Sequence, residues 1–249
     1  MEEQNFSAAQ GAADQRPVIE FKGVSKTYLT GTHALEDVNI QIRQGEFVFV
    51  VGASGAGKST FMKLIMREEK ANAGEIYVNG FRLSTIRHRE IPMLRRTMGI
   101  VFQDFRLIPT MDVFDNVAFA MHVVGASPSL IRREVAKALS LVGLGHKARS
   151  KPAELSGGEQ QRVSIARAIA KNPRLILCDE PTGALDYITG KKILKLLQDL
   201  SRERKKLVII VTHNAALKDM ADKVILIKNG RIESNETNDN PTPVEEIEW

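Results

Sequence analysis

Gly52-Ala-Ser-Gly-Ala-Gly-Lys58-Ser59 is the stretch that decides the fold of this chain. Glu46 to Val51, a run of β-branched and aromatic residues, precedes it, and the residues from Lys58 onward have helical character. A strand, the spacing G-x-x-x-x-G-K-S and a helix form the context in which backbone N–H groups surround phosphate oxygens. A glycine-rich turn without a ligand is the alternative, but it would not need this spacing. The sequence therefore predicts a nucleoside triphosphate site.

The helix that starts at Lys58 is expected to hold the phosphates together with the loop. Its N-terminus carries partial positive charge. The Lys58 ammonium is expected to reach the β- and γ-phosphates, and the Ser59 hydroxyl to ligate Mg²⁺. The predicted nucleotide-binding positions of this segment are Gly52, Ala53, Ser54, Gly55, Ala56, Gly57, Lys58, Ser59 and Thr60.

Two adjacent carboxylates end a second apolar run, Leu175 to Glu180. Open α/β sheets bind their ligands at the carboxyl ends of strands, where acidic residues have a use. Asp179 suits a direct or water-mediated Mg²⁺ contact, and Glu180 suits polarising the attacking water. A solvated turn is the alternative, and the presence of the phosphate loop argues against it. The pair predicts phosphoryl transfer to water.

Composition limits the class of protein. No apolar run approaches the roughly 18 residues of a membrane helix, and the polar, acidic start Met1-Glu-Glu-Gln-Asn does not indicate a secretory signal. Cys178 is the one cysteine, so no intrachain disulfide can form and a reducing cytosol is expected. Inside the second strand, Cys178 is expected to be a small buried residue rather than a reactive one.

The net charge of +5 is unevenly distributed. Acidic residues accumulate after Arg231, whereas arginines cluster between Gly74 and Arg106. A solvated face, an anionic membrane surface or an acidic partner would each explain the basic cluster. No aromatic interleaving or nucleic-acid motif accompanies it, so no nucleic acid is expected as a partner. The clustered arginines are Arg82, Arg87, Arg89, Arg95, Arg96 and Arg106.

The order of predicted elements gives the domain organisation. A mostly parallel α/β core carries an antiparallel β layer near its start and a helical subdomain at about 104–158. Residues 1–16 lack periodicity and are predicted to be disordered, and the folded domain is predicted to span 17–233. Residues 234–249, acidic and containing Pro241 and Pro243, are predicted to form a flexible tail.

These pieces in this order resemble the ATP-binding-cassette (ABC) ATPase family over about residues 18–233, and Leu155-Ser-Gly-Gly-Glu159-Gln-Gln-Arg162 is the most specific match. The resemblance implies a P-loop NTPase fold, the ligands ATP and Mg²⁺, and ATP hydrolysis. It implies that Tyr28 stacks on adenine, whereas an ordinary strand-edge tyrosine is the alternative. It also implies that Gln103 senses Mg²⁺ and links the site to the helical subdomain.

His213 follows a buried strand on the ligand side of the sheet, where its imidazole can donate a hydrogen bond to phosphate. A purely structural histidine is the alternative, and the resemblance favours a γ-phosphate contact. The residues expected to act in hydrolysis are Lys58, Gln103, Glu180 and His213, and those expected to ligate the metal are Ser59, Gln103 and Asp179.

The resemblance also implies a homodimer that forms on ATP binding. Ser156, Gly157, Gly158 and Glu159, at a helix N-terminus, would complete the site of the opposite protomer. The loop Ala184-Leu-Asp186 would communicate across that interface.

Finer features are similar to the FtsE-type branch of the family: Lys63 to Lys70, Val101 to Pro109, and the run starting at Val113. That branch implies an FtsX-like integral membrane partner, a role in cell division, and a location on the cytoplasmic face of the plasma membrane. Ala184 departs from the asparagine usual in FtsE proteins and is similar to the MacB and LolD exporter ATPases, which leaves export as the alternative. Soluble translation or repair types would need a second cassette or a long coiled-coil insertion, and neither is present.

The segment Phe105-Arg-Leu-Ile-Pro109 follows Gln103 and combines apolar and basic residues. Phe105 and Leu107 beside an arginine are expected to anchor a cytoplasmic helix of the membrane partner. Packing of the helical subdomain against the core is the alternative.

Overall fold

The structure is a computed structural model that describes residues 17–248. The segment 1–16, predicted to be disordered, lies outside the described residues. The strands are β1 (Ile19–Thr27), β2 (His33–Ile42), β3 (Phe47–Val51), β4 (Ala73–Val78), β5 (Phe81–Arg82), β6 (Met98–Val101), β7 (Leu175–Asp179), β8 (Leu207–Thr212), β9 (Lys223–Lys228) and β10 (Arg231–Thr237). The α-helices are α1 (Lys58–Ile65), α2 (Ile91–Arg96), α3 (Val113–Val123), α4 (Pro128–Leu141), α5 (Gly157–Ala170) and α6 (Tyr187–Arg202).

A six-stranded sheet with the order β10-β9-β3-β8-β7-β6 forms the centre of the fold. Its strands pair in parallel except at the β9–β10 hairpin. β3 and β8 are buried along their whole length, as expected for parallel strands covered on both faces. The register pairs Val51 with Thr212 and Asp179 with Val211. The carboxyl ends of β3, β7 and β8 therefore meet at one edge, and the loops that follow them are neighbours.

Alternation along β3 divides the interior into two apolar cores. Phe47 and Phe49 face the helices α3 to α6, and Val48 and Val50 face the other side. There a four-stranded antiparallel sheet, with the order β2-β1-β4-β5, covers α1 and the central sheet. Between the two, the rings of Phe21 and Phe61 stack at a centroid distance of 5.0 Å. The phosphate loop thus leaves a strand that is fixed from both faces.

The helices α3 and α4 pack on α5 beside the central sheet. Asn116 of α3 is fully buried and holds the chain that enters this helix. Its Oδ1 accepts from the Ile108 N–H at 2.7 Å, and its Nδ2 donates to the carbonyls of Ile108, Met111 and Asp112. The segment that leaves β6 is therefore tied to the helical layer at Ile108. None of the helices within residues 17–248 combines the length and the apolarity needed to cross a bilayer.

The C-terminal segment differs from the prediction. The boundary at residue 233 falls inside β10, which pairs with β9 as far as Thr237. Val244 and Ile247 are buried in the core beneath α6, where the Lys191 Nζ donates to the Glu245 carbonyl at 3.0 Å. The prediction of a flexible tail is wrong for residues 234–248, because these two apolar side chains bury against the domain despite the acidic residues around them.

Candidate functional site

A cavity of about 360 Å³ opens at the carboxyl edge of the central sheet. It brings together most of the predicted site residues, which come from five separate parts of the chain. Thr32 and Ala34 also line it and were not predicted. A larger cavity of about 620 Å³ lies between α4 and the amino ends of β7 and β8, and none of the predicted site residues lines it. The predicted residues around the first cavity are Tyr28, Ser54, Gly55, Gly57, Lys58, Ser59, Thr60, Gln103, Asp179, Glu180 and His213.

The phosphate loop depends on two glycines with positive φ. A Cβ on Gly52 would lie 2.2 Å from the Ile227 carbonyl oxygen, and one on Gly57 would lie 2.4 Å from that of Ala34. Any other residue would push the loop off the sheet. The Lys58 Nζ folds back over the loop and donates to the carbonyls of Gly52 and Ala53, at 2.6 and 2.9 Å.

Gly52, Ala53 and Ala56 do not line the cavity. The buried Ala56 uses both of its backbone groups inside the protein. Its N–H donates to the Ala53 carbonyl at 3.2 Å, and its carbonyl accepts from the Gly230 N–H at 3.0 Å. These three residues therefore shape the loop, while Gly57, Lys58, Ser59 and Thr60 line the cavity.

Glu180 is held from the end of β8 by three donors. Its Oε2 accepts from the Thr212 hydroxyl at 2.8 Å, and its Oε1 accepts from the His213 N–H at 2.8 Å and lies 2.6 Å from the His213 Nδ1. Its backbone has φ 47°, which is unusual for a residue with a side chain. Such conformations persist where the surroundings determine them fully, and they cluster at functional sites. The carboxylate is thus fixed at the mouth of the cavity.

Asp179 is the last residue of β7 and directly precedes Glu180. Burial raises the pKa of the Asp179 carboxyl above its ordinary value and the charge of Glu180 raises it further, while the Lys58 ammonium opposes both. Its carboxylate, the Ser59 hydroxyl and the Gln103 amide line the same cavity. These are hard oxygen donors of the kind that Mg²⁺ prefers. The described residues contain no cluster of three or more His, Cys, Asp or Glu able to hold a metal. A site with few protein ligands fits Mg²⁺ that keeps waters and phosphate oxygens.

The predicted dimer residues lie away from the cavity. Ser156 and Glu159 form a capping box at the start of α5: the Glu159 N–H donates to the Ser156 Oγ at 3.3 Å, and the Ser156 N–H donates to the Glu159 Oε2 at 2.8 Å. This second bond is the main reason that the pKa of Glu159 is lowered. Asp186 caps α6 in the same way, accepting from the Thr189 N–H at 3.0 Å. Within one chain, Ser156, Gly157, Gly158, Glu159 and Asp186 do not contribute to the nucleotide cavity.

Comparison with known proteins gives the family. A family model described as ABC transporter matches residues 35–183. The cell division ATP-binding protein FtsE of Bacillus subtilis (strain 168) is 50% identical over 221 residues, which cover 88% of this chain and 96% of that protein. The chain belongs to the ABC transporter family of ATPases. The family, the fold class and the ATPase activity predicted from the sequence are thereby confirmed.

Two solved structures of one ABC cassette are similar to this ABC ATPase. The dimeric structure of MJ0796, a bacterial ABC transporter cassette, matches with a TM-score of 0.83 and 40% identity, covering 88% of this chain and 98% of that one. A dimeric post-hydrolysis state of the same cassette, bound to ADP and Pi, has the same TM-score and coverage at 39% identity.

The segment after Gln103 places the two predicted anchor residues outside a nearby groove. Leu107 packs against the helical core, and neither Phe105 nor Leu107 lines the groove of about 440 Å³ between α2 and α3. Arg106 and Ile108 line that groove instead, together with Phe119 and Val123 of α3. Phe105 and Arg106 both have positive φ, 58° and 47°, so the chain makes a left-handed turn at these two residues.

Three residues that support the ABC ATPase site were not predicted. Arg167 of α5 donates to the carbonyls of Phe105 and Arg106, at 2.7 and 2.6 Å, and so holds the left-handed turn. Thr212 anchors Glu180. Lys26 of β1 lies with its Nζ 4.9 Å from the centroid of the Tyr28 ring. The only sequence signal for the three was a polar or charged residue within an otherwise apolar strand or helix face.

Proposed function

We propose that the chain is the ATP-hydrolysing subunit of an FtsEX-type membrane complex, in which ATP-driven dimerisation acts on an FtsX-like partner that controls cell-wall hydrolysis during division. The observation that carries the enzymatic part is the meeting of the phosphate loop, Asp179 and the anchored Glu180 around one cavity. The reaction is ATP and water to ADP and phosphate.

Each cavity residue has a role that follows from its position. The Lys58 Nζ exchanges its two loop carbonyls for β- and γ-phosphate oxygens, and the N–H groups at the start of α1 point to the same phosphates. Tyr28, which also lines the cavity, stacks on adenine. Ser59, Gln103 and Asp179 hold Mg²⁺, which, when bound, offsets negative charge on the phosphates. A cation beside Asp179 opposes the effect of burial and keeps that carboxylate ionised.

Glu180 positions and deprotonates the attacking water. Thr212 and the His213 N–H hold both carboxylate oxygens, so the orientation of the carboxylate beside the cavity is fixed. The His213 ring is largely exposed at the cavity mouth and contacts Glu180 through Nδ1. Its other ring nitrogen remains available to the γ-phosphate.

A second copy of the chain completes the site. Ser156 and Gly157 are exposed at the N-terminus of α5, a position that favours anions. In a twofold dimer this end of α5, with Gly158 and Glu159, faces the γ-phosphate in the partner's cavity, and Asp186 lies beside it. The dimeric MJ0796 cassette structures support this arrangement.

The groove between α2 and α3 is proposed to receive a short cytoplasmic helix of the membrane partner. Phe119 and Val123 form its apolar floor and are 44% and 41% exposed. The cations around them favour a helix with an apolar face and acidic flanks, and such a partner would hold the chain at the cytoplasmic face of the plasma membrane. These cations are Arg95, Arg96, Arg106, Arg167 and Lys171. The FtsE relatives support a division complex, and Ala184 is the one feature that favours an exporter instead.

The enzymatic proposal is tested with Glu180→Gln. The amide keeps the shape of the side chain but not its basicity, so ATP binding should persist while phosphate release falls by at least about a hundredfold. Sedimentation of this variant with ATP and Mg²⁺ should show a dimer, and Ser156→Arg added to it should show a monomer that still binds ATP. Turnover within about threefold of the parent would refute the role of Glu180.

The partner proposal is tested by co-purification with an FtsX-like membrane protein from the same organism. Phe119→Asp with Val123→Asp should abolish co-purification while ATP binding and the melting temperature stay unchanged, because both side chains are exposed. The matched control is Leu141→Asp, a similarly exposed apolar residue outside the groove. Equal co-purification of the parent and the groove variant would refute docking at this surface.

A further inference from the structure

Lys26 is a buried lysine beside the nucleotide cavity. It is 8% exposed, and lysine is rarely buried without a partner. Its Nζ makes an ion pair with the Glu69 Oε2 at 2.7 Å and lies 4.9 Å from the centroid of the Tyr28 ring. Lys26 itself does not line the cavity, whereas Tyr28 does. The ammonium therefore acts on the wall of the cavity and not directly on a phosphate.

The same contacts tie Tyr28 to the helix that follows the phosphate loop. Glu69 lies just after α1, and its N–H donates to the Lys63 carbonyl of that helix at 3.2 Å. The Tyr28 hydroxyl lies 3.3 Å from the Thr60 Oγ1, in the first turn of α1. The Tyr28 ring is thus held at its hydroxyl by Thr60 of the phosphate-binding segment. On one side it contacts the Lys26 ammonium, which is paired with Glu69 just after α1.

We propose that Lys26, anchored by Glu69, is a positioning residue that holds Tyr28 in the orientation and electronic state needed to stack on a purine base. The inference rests on the proposed adenine contact of Tyr28. A cation close to an aromatic ring is attracted to its π-electrons. Drawing those electrons toward Lys26 makes the opposite side of the ring a better partner for an electron-rich purine.

Comparing a ligand that has a base with one that lacks it tests the inference. In Lys26→Met, which keeps the aliphatic length, the affinity for ADP should fall by about threefold to tenfold. The affinity for inorganic pyrophosphate should stay unchanged, because pyrophosphate does not touch Tyr28. Calorimetry on the full chain measures both, and the loss should appear in KM for ATP rather than in kcat. Tyr28→Leu gives the size of the whole base contact.

The outcomes distinguish the role of Lys26 from the proposed stacking of Tyr28 on adenine. If Tyr28→Leu binds ADP as the parent does, adenine stacking itself is refuted. If Tyr28→Leu weakens ADP and Lys26→Met does not, the role of Lys26 is refuted. An equal loss of ADP and pyrophosphate in Lys26→Met would also overturn it, since that pattern reports a general disturbance of the loop. Should Lys26→Met fold poorly, Lys26→Met with Glu69→Leu removes the buried pair without leaving a lone charge, and the same expectations apply.

Discussion

Replacing Thr212 by valine should slow ATP hydrolysis without unfolding the protein. The Thr212 side chain is 2% exposed and almost fills the same space as valine, so the change removes a hydroxyl and little else. That hydroxyl donates to the Glu180 Oε2 at 2.8 Å and accepts from the Asn214 N–H at 3.1 Å. A hydrogen bond to a charged group contributes about 1.5–3 kcal/mol. If that energy serves to orient the carboxylate, kcat falls by about tenfold to a hundredfold.

The assay is steady-state phosphate release, with ADP affinity and the melting temperature measured on the same preparations. Thr212→Ser is the matched control, because it keeps the hydroxyl, and it should retain kcat within about threefold of the parent. ADP affinity should not change in either variant, since the phosphate loop is untouched. If Thr212→Val hydrolyses ATP within about twofold of the parent, the argument that Thr212 orients Glu180 fails.

Three further predictions concern other parts of the chain. Arg167→Met frees the carbonyls of Phe105 and Arg106 and should weaken co-purification with the membrane partner while leaving ADP affinity intact; unchanged co-purification would contradict the role of this turn. Burial lowers the pKa of Lys171 to about 8, whereas an unfolded lysine titrates near about 10.4. Between about pH 8 and pH 10.4 the unfolded chain therefore binds more protons at Lys171 than the folded chain does. The burial of charged Lys171 lowers the free energy of unfolding by its full amount below about pH 8, and this cost disappears above about pH 10.4. Lys171→Met should therefore melt higher than the parent at pH 7, with the difference closing by about pH 10.5 in parallel thermal scans. Val244→Asp places a charge in the core beneath α6 and should lower the free energy of unfolding by about 3 kcal/mol or more in urea titrations, while the exposed Glu246→Ala should change it by less than about 0.5 kcal/mol; similar values for both would restore the tail as a flexible segment.

The phosphate loop and the acidic pair could be predicted from the sequence because each depends on local geometry. A Cβ on Gly52 or Gly57 would lie only 2.2 or 2.4 Å from a backbone carbonyl oxygen, so both positions require glycine. The spacing of the glycines in the sequence reflects this requirement. Asp179 and Glu180 follow an apolar strand whose carboxyl end must lie on the ligand side of a parallel sheet. Both inferences needed only one strand and the residues next to it.

The supporting residues could not be predicted because their partners are remote in sequence. Lys26 and Glu69 are 43 residues apart, and Arg167 is 62 residues from Phe105. Thr212 stands out only as a polar residue at the end of an apolar strand, and because threonine is common in strands this does not identify Glu180 as its partner. The burial of Val244 and Ile247 could not be predicted for another reason, because two apolar residues among acidic ones do not form a periodic pattern. In the structure both side chains are buried in the core and fix the C-terminal segment.

The turn at Phe105 and Arg106 connects the nucleotide cavity with the groove proposed to receive the partner. Gln103 lines the nucleotide cavity, and Arg106 lines the groove between α2 and α3. The residues between them turn through a left-handed bend whose carbonyls are held by Arg167. A shift of Gln103 cannot be absorbed inside so short a bend without breaking those two bonds or moving α5. Because Ser156 caps the other end of α5, the same movement reaches the surface proposed to meet the second protomer. In the proposed complex, Phe119 and Val123 on α3 form the apolar anchor, and the turn at Phe105 and Arg106 carries the movement, with the Arg106 side chain also lining the groove.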